Sequence, residues 1–344
     1  MTDELITNSF RTPLGWQSGH LQTIRNRVIR RTFDLDRDGT TRSVLVDLND
    51  DTGDQLAVQL HRSRRDPIAG SDGGLVVLIH GLGGSAESSY IRASTLGLLR
   101  AGFNVARVDL RGAGLSGETC SLLYHAGRTE DIRAVLTSLA TEPEARQNPT
   151  DSPRLALMGF SLGGSMTIKL LGEPHDQLPL FGAVAVSAPL DLPVGRRHLE
   201  RMAFGMYERF LVIGLKRDAL RPGPHGSLRV NQQERVAVER ARTLAEFDDA
   251  ITAPRNGWRD AAEYYEVNSS GPFLSNIDLP TLVVHSLDDP MIPSDPYRAI
   301  DWARVDRRGF VERLITPHGG HVGFHERGNP LPWFVGRSAA FLGR

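Results

Sequence analysis

RLALMGFSLGGSM (Arg154–Met166) carries the decision about fold. Its first seven residues form an apolar run that reads as a buried strand ending at Phe160, and from Leu162 the pattern reads as a helix. At the junction, Gly159-Phe160-Ser161-Leu162-Gly163 has the form G-x-S-x-G. Alone the pentapeptide is a weak signal, and a serine that merely caps the helix is the plainer reading. Its place between strand and helix makes it a strong one, because a turn this tight demands small residues two before and two after the serine. Glycine at 159, 163 and 164 meets that demand. Such a turn lifts the Ser161 hydroxyl above the sheet at a helix N-terminus, where the helix dipole favours developing negative charge.

Working outward, strand-like and helix-like segments alternate. SVLVDL (Ser43–Leu48) and QLAVQLH (Gln55–His61) have period-two apolar spacing around a turn and predict an opening antiparallel hairpin. LVVLIH (Leu75–His80), NVARVDL (Asn104–Leu110), RLALMGF and FGAVAVSA (Phe181–Ala188) predict core strands, with helices near 88–100, 127–139 and 162–171. Residues 191–271 hold no strand pattern and read as mostly helical. Alternation resumes with TLVVHS (Thr281–Ser286), a helix near 294–304, FVERLIT (Phe310–Thr316) and a last helix near 333–342. This predicts an α/β protein with a mostly parallel central sheet flanked by helices and a helical cap inserted between core strands. The expected divisions are an N-terminal segment (1–42) packed on core or cap, core (43–190), cap (191–271) and core (272–344).

A serine hydroxyl needs a neighbouring imidazole to take its proton, and the imidazole needs an acid to fix its tautomer. HSLDDPMIP (His285–Pro293) puts carboxylates at the end of a late strand; Asp288 and Asp289 compete, and the Asp-Pro-x-x-Pro frame favours Asp289. In TPHGGHVGF (Thr316–Phe324), His321 follows two glycines that permit a close approach to the serine, with His318 and His325 as competitors. No clustered carboxylates or thiolates accompany those histidines, so no metal is expected. One oxyanion donor is expected from the Leu162 amide. The other is expected from Leu82 in HGLGG (His80–Gly84), whose plainer reading is a glycine-rich turn. Asp109 and Arg111 of DLRGAGLSG read as structural.

SGHLQTI (Ser18–Ile24), HGLGGSAESSYIR, GFSLGGSM, EFDDAITAP (Glu246–Pro254), EYY (Glu263–Tyr265), LDDPMIP and HGGHVGF together resemble the YheT-like branch of the α/β-hydrolases, which includes animal abhydrolase-domain lipases and esterases. The likeness covers nearly the whole chain and departs at Ser165 and Trp258, where the branch often has asparagine and phenylalanine. It implies the α/β-hydrolase fold and carboxylic ester hydrolysis through Ser161, Asp289 and His321. Animal and plant members often carry an N-terminal membrane anchor; none is expected here.

The chain has 344 residues, 40% hydrophobic and 24% charged, with a formal net charge of −1, so no general attraction to nucleic acid or to an anionic membrane is expected. Cys120 is the only cysteine, the start MTDELITNSF has no secretory pattern, and no run reaches the roughly 20 apolar residues needed to cross a bilayer. A cytoplasmic protein is expected, with no cofactor and a small or lipid-like ester as partner. Within the cap, Leu199, Met202, Ala203, Met206, Phe210 and Ile213 share one helical face, expected to pack on the core; covering an acyl pocket or touching a membrane surface transiently is the alternative. Acyl transfer through the same acyl-enzyme, and a non-catalytic binding module, are the competing functions. A dehalogenase or epoxide hydrolase would need a carboxylate at the elbow. Oligomeric state, acyl-chain length and the alcohol part are not encoded in these patterns.

Overall fold

The computed structural model describes residues 10–29, 31–68, 71–174 and 178–344; the leader-free start read from residues 1–9 lies outside them. Eight strands form one sheet in the order β1-β2-β4-β3-β5-β6-β7-β8. They are β1 (Gly39–Asp47), β2 (Gln55–Ser63), β3 (Leu75–Ile79), β4 (Asn104–Val108), β5 (Leu155–Phe160), β6 (Leu180–Val186), β7 (Thr281–Ser286) and β8 (Val311–Thr316). β1 pairs with β2 and β2 with β4 antiparallel, and every other pairing is parallel. The central strands β3 and β5 are buried on both faces, which is why they read as unbroken apolar runs rather than alternations. Leu75, Val77, Ile79, Leu155 and Leu157 point to one core layer; Val76, Leu78, Ala156, Met158 and Phe160 point to the other.

The helices that pair with these strands are α1 (Gly19–Val28), α2 (Ser89–Arg100), α3 (Thr129–Leu139) and α4 (Leu162–Gly172). α2 and the terminal helix Trp333–Leu342 cover one face, and α3 and α4 the other. Between β6 and β7 the chain holds helices joined by turns and no strand, with α5 (Leu192–Arg201), α6 (Met206–Leu220), α7 (Gln232–Arg240) and a helix Ala261–Asn268 as its longer pieces. Asp191 caps α5 by accepting from the Val194 amide at 2.8 Å, and Asn231 with Glu234 closes a reciprocal capping box on α7.

Three local readings differ. The helix expected at 294–304 is two short helices, Asp295–Ala299 and Trp302–Val305, because Ile300 is extended and Asp301 starts a new helix by accepting from the Arg304 amide. The apolar stripe from Leu199 to Ile213 is not one helical face. The chain breaks at Ala203, Phe204 and Gly205, all left-handed, so Leu199 is buried while Met206 and Ile213 face solvent. α1 was not anticipated, although its motif was.

In the loop after β4, Asp109 accepts from the Ala86 and Leu115 amides at 2.7 and 2.9 Å. Arg111, 1% exposed, bridges Asp50, Asp54 and Asp131 at 2.6–2.9 Å. Asp54 and Asp131 are themselves buried, so this cation neutralises carboxylates that water cannot reach. Arg111→Met should therefore lower unfolding free energy by about 3 kcal/mol or more, as expected when one partner of a buried pair is removed. Urea denaturation checks this, and a change below about 1 kcal/mol would overturn the account.

Candidate active site

Ser161 stands where β5 hands over to α4, with φ 52° and ψ −121°. A left-handed serine is strained, and the surroundings over-determine it. Its amide donates to Val186 O at 2.8 Å, and its carbonyl accepts the first α4 bond, from Ser165 N, at 3.0 Å. A Cβ on Gly163 would lie 2.4 Å from Ile79 O, so only glycine lets α4 approach the end of β3. A Cβ on Gly81 would lie 2.8 Å from Ser161 Cβ, so glycine there lets the loop after β3 close over the serine.

His321, in the loop after β8, contacts Ser161 and Asp289 together. Its Nε2 is 2.9 Å from Ser161 Oγ and its Nδ1 is 2.9 Å from Asp289 Oδ2. The Asp289 side chain is fully buried, and Oδ1 accepts from the Met291 and Ile292 amides at 2.8 and 3.0 Å. Burial alone would raise its pKa, yet the His321 ring and hydrogen bond, with help from His285 and the Ile292 amide, hold it below the usual carboxylate range. His285 is stacked face to face on Tyr297 at 3.9 Å, and burial pushes its pKa down to about 4, keeping the ring neutral beside Asp289.

The neighbouring Asp288 has a different position. It accepts from Ser286 Oγ and the Gly320 amide at 2.8 and 3.0 Å and pairs with His318 Nδ1 at 3.1 Å. His325 is buried, its amide donating to Gln22 Oε1 at 2.7 Å. The three histidines thus go to separate partners.

Helix α1 supplies contacts that residue patterns did not reveal. Thr23 Oγ1 accepts from the His321 amide at 2.8 Å, Gln22 Nε2 donates to His325 O at 3.3 Å, and Asn26 Nδ2 donates to Val322 O at 3.2 Å. His20 Nδ1 meets the Tyr207 hydroxyl of α6 at 2.8 Å. The motif SGHLQTI was the available signal; no spacing rule connects it to a loop 298 residues away.

The loop after β3 has its amides almost fully used. Gly81 N donates to Tyr90 Oη at 3.0 Å, Gly83 N to Tyr124 Oη at 2.7 Å, and Gly84 N to Gly81 O at 3.1 Å. Among the described residues the Leu82 amide has no acceptor, and neither has the Leu162 amide, which precedes the first α4 bond. His80 Nε2 accepts from Leu110 N at 3.1 Å, so its Nδ1 carries the proton and donates to Gly81 O at 2.8 Å.

Leu82, Ser161 and Leu162 lie on a cavity of about 740 Å³, its opening to solvent included. Leu199, Leu211, Leu215 and Leu244 line it from the helical insertion, and Met291 and Ile292 from the Asp289 loop. Its apolar wall is interrupted by Asp248, whose carboxylate accepts from Thr252 Oγ1 and Tyr265 Oη, each at 2.6 Å. Burial lifts the Asp248 pKa to about 6 against those two hydrogen bonds, with Asp249 adding to the rise. Residues 248–252 form a π-helical turn, a departure from α-geometry that often marks functional segments.

Residues 76–334 match the alpha/beta hydrolase family. The chain is 33% identical to the YheT esterase of Escherichia coli, over 90% of this chain and 85% of that protein. It is 30% identical to a monoacylglycerol lipase of Saccharomyces cerevisiae over 80% of its own length, spanning 61% of the yeast protein. The esterase Pf2001 of Pyrococcus furiosus has the same fold, with a TM-score of 0.58 at 18% identity over 98% of this chain and 96% of that one.

Asp248 gives a pH test. Its folded pKa lies above the unfolded value of 3.8, so the folded state binds the proton more tightly. Its contribution is largest below that unfolded value and is lost as pH rises through about 6. Asp248→Asn should remove this slope. The loss of unfolding free energy between pH 4.5 and 7 should shrink by about 2 kcal/mol relative to wild type. Denaturation curves at both pH values check this; identical slopes in the two proteins would overturn it.

Proposed function

The chain belongs to the alpha/beta hydrolase family, within its YheT-like esterase branch, and we propose that it hydrolyses carboxylic esters through Ser161, His321 and Asp289 by way of an acyl-enzyme. The observation that carries the reading is the pair of 2.9 Å contacts that link Ser161 Oγ, the His321 ring and Asp289 in series. An ionised Asp289 accepts only, so the His321 tautomer with its proton on Nδ1 is favoured and the Nε2 lone pair faces the Ser161 hydroxyl.

Ser161 Oγ attacks the ester carbonyl as Nε2 takes its proton. The Leu82 and Leu162 amides donate to the carbonyl oxygen as it gains charge; a single donor of this kind contributes about 10²–10³ in rate. Protonated His321 then gives its proton to the departing alkoxide, which leaves as an alcohol. Water enters, loses a proton to His321 and attacks the acyl carbon; the tetrahedral intermediate collapses as His321 returns that proton to Ser161 Oγ, freeing the acid and the serine hydroxyl. Asp289 orients the ring and stabilises its cationic form without taking the proton. The leucine-rich wall of the cavity supports a medium-sized or lipid-like acyl group, in keeping with the esterase and lipase named among the relatives.

Ser161→Ala should lower kcat/KM on a chromogenic ester by roughly 10³-fold or more and abolish labelling by a fluorophosphonate probe. Labelling that survives the substitution would overturn the assignment of the nucleophile. The two adjacent acids separate by the same assay. Asp289→Asn should cost about 10⁴-fold through the wrong His321 tautomer. Asp288→Asn, which keeps an oxygen acceptor for the Gly320 amide, should cost less than about tenfold. Equal losses would sink the distinction.

A further inference from the structure

The hairpin of α5 and α6 has two unlike faces. Leu199, Leu211 and Leu215 on its inner side line the cavity above Ser161. On the outer side of α6, Met206, Arg209, Ile213 and Arg217 recur at spacings of three and four and are all exposed, a single stripe along the helix. On α5, Arg197 and Arg201 are four apart and exposed. Between the helices, Ala203, Phe204 and Gly205 are all left-handed, with φ of 48°, 55° and 73°. The Phe204 side chain at this turn is 97% exposed; Met206 and Ile213 are 51% and 65% exposed.

Every exposed residue from 197 to 217 is apolar or cationic. The carboxylates of the same stretch are withdrawn from that face. Glu200 is engaged by Arg196, and buried Glu208 accepts from the Leu244 amide at 2.9 Å. Arg217 pairs with Asp218 just beyond. Arg197, Arg201 and Arg209 have no carboxylate partner among the described residues. A cationic, apolar face on a chain of net charge −1 is a local feature, not a reflection of composition.

We propose that this outer face docks on an anionic lipid bilayer, with Phe204 entering the boundary between headgroups and acyl chains and Arg197, Arg201 and Arg209 against lipid phosphates. Arginine matches phosphate oxygens, and an aromatic side chain flanked by Met206 and Ile213 gains from a hydrocarbon edge that an acidic protein surface does not offer. Two strained non-glycine residues hold the ring out in water, opposite to what packing within the chain would select. The same two helices wall the cavity, so a docked bilayer lies against the outer side of the ester pocket. Docking requires no turnover and is independent of the ester-hydrolase reading.

The test uses the full chain carrying Ser161→Ala, so that vesicles stay intact, in flotation with equimolar phosphatidylcholine–phosphatidylglycerol vesicles and with phosphatidylcholine alone. Binding should be confined to the anionic vesicles and weaken as salt rises. Phe204→Ser, and separately Arg201→Glu with Arg209→Glu, should each lower partitioning by at least about tenfold. In the Ser161 protein the same substitutions should leave turnover of a short water-soluble ester within about twofold, since none touches the cavity. Absence of binding by the parent, or binding that neither variant weakens, overturns the proposal. Capture by immobilised polyglutamate that ignores Phe204→Ser, with vesicles unbound, would assign the face to an acidic protein and overturn it as well.

Discussion

The left-handed backbone of Ser161 is the constraint on which the rest of the molecule depends. A serine at φ 52° costs on the order of 1–3 kcal/mol, so it persists only where neighbours leave no alternative. The neighbours here are the middle of the sheet. β5 lies between β3 and β6, the Ser161 amide is held by the end of β6, and α4 is pressed against the end of β3 through Gly163. Relaxing the turn would require moving a helix and two strands whose side chains fill both core layers. The strain is therefore supported by the largest body of apolar packing in the chain, and the hydroxyl is presented where three other loops converge.

That convergence explains what was legible in the sequence. Strands buried on both faces appear as unbroken apolar runs, and β3, β5, β6 and β7 were readable for that reason. Parallel strands all send their carboxyl ends to one edge, so the residues after β3, β5, β7 and β8 had to be neighbours whatever the details. That Ser161, Asp289 and His321 would come together was legible through that topology. What escaped was α1, whose polar Gln22, Thr23 and Asn26 act on the His321 loop through side chain–main chain bonds. Bonds of this kind leave no periodicity in either partner. The break at 203–205 escaped for a related reason. Apolar residues at helical spacing ran straight through it, and spacing does not register a backbone that turns left-handed with alanine and phenylalanine in place.

The adjacent Asp288 and Asp289 divide two tasks that the histidine loop requires. Asp288 holds the main chain at Gly320, while Asp289 holds the ring of His321. Thr23 adds a third restraint, on the His321 amide. A loop with left-handed Gly320, Val322 and Phe324 has little regular structure of its own, so its position is set by these partners rather than by a ladder of its own bonds. Two consecutive carboxylates can serve different parts of one loop because neighbouring side chains leave the backbone in different directions. Asp288 reaches Gly320 and His318 at the loop's start, and Asp289 turns inward to the ring and to the amides of Met291 and Ile292.

The helical insertion likewise divides its chemistry between its two faces. To the cavity it offers leucine side chains, and in the same wall it places Asp248 between Thr252 and Tyr265, a polar island whose burial lifts its pKa to about 6. A carboxyl group raised to about 6 takes up its proton just below neutral pH, so this part of the wall changes from a carboxylate to a carboxylic acid within that range. The insertion's outer face then turns to arginine and exposed apolar side chains. One segment thus faces two media: a cavity that is apolar apart from Asp248, and the solvent outside. The sheet fixes where Ser161 stands, and the insertion supplies most of the wall of the cavity beside it.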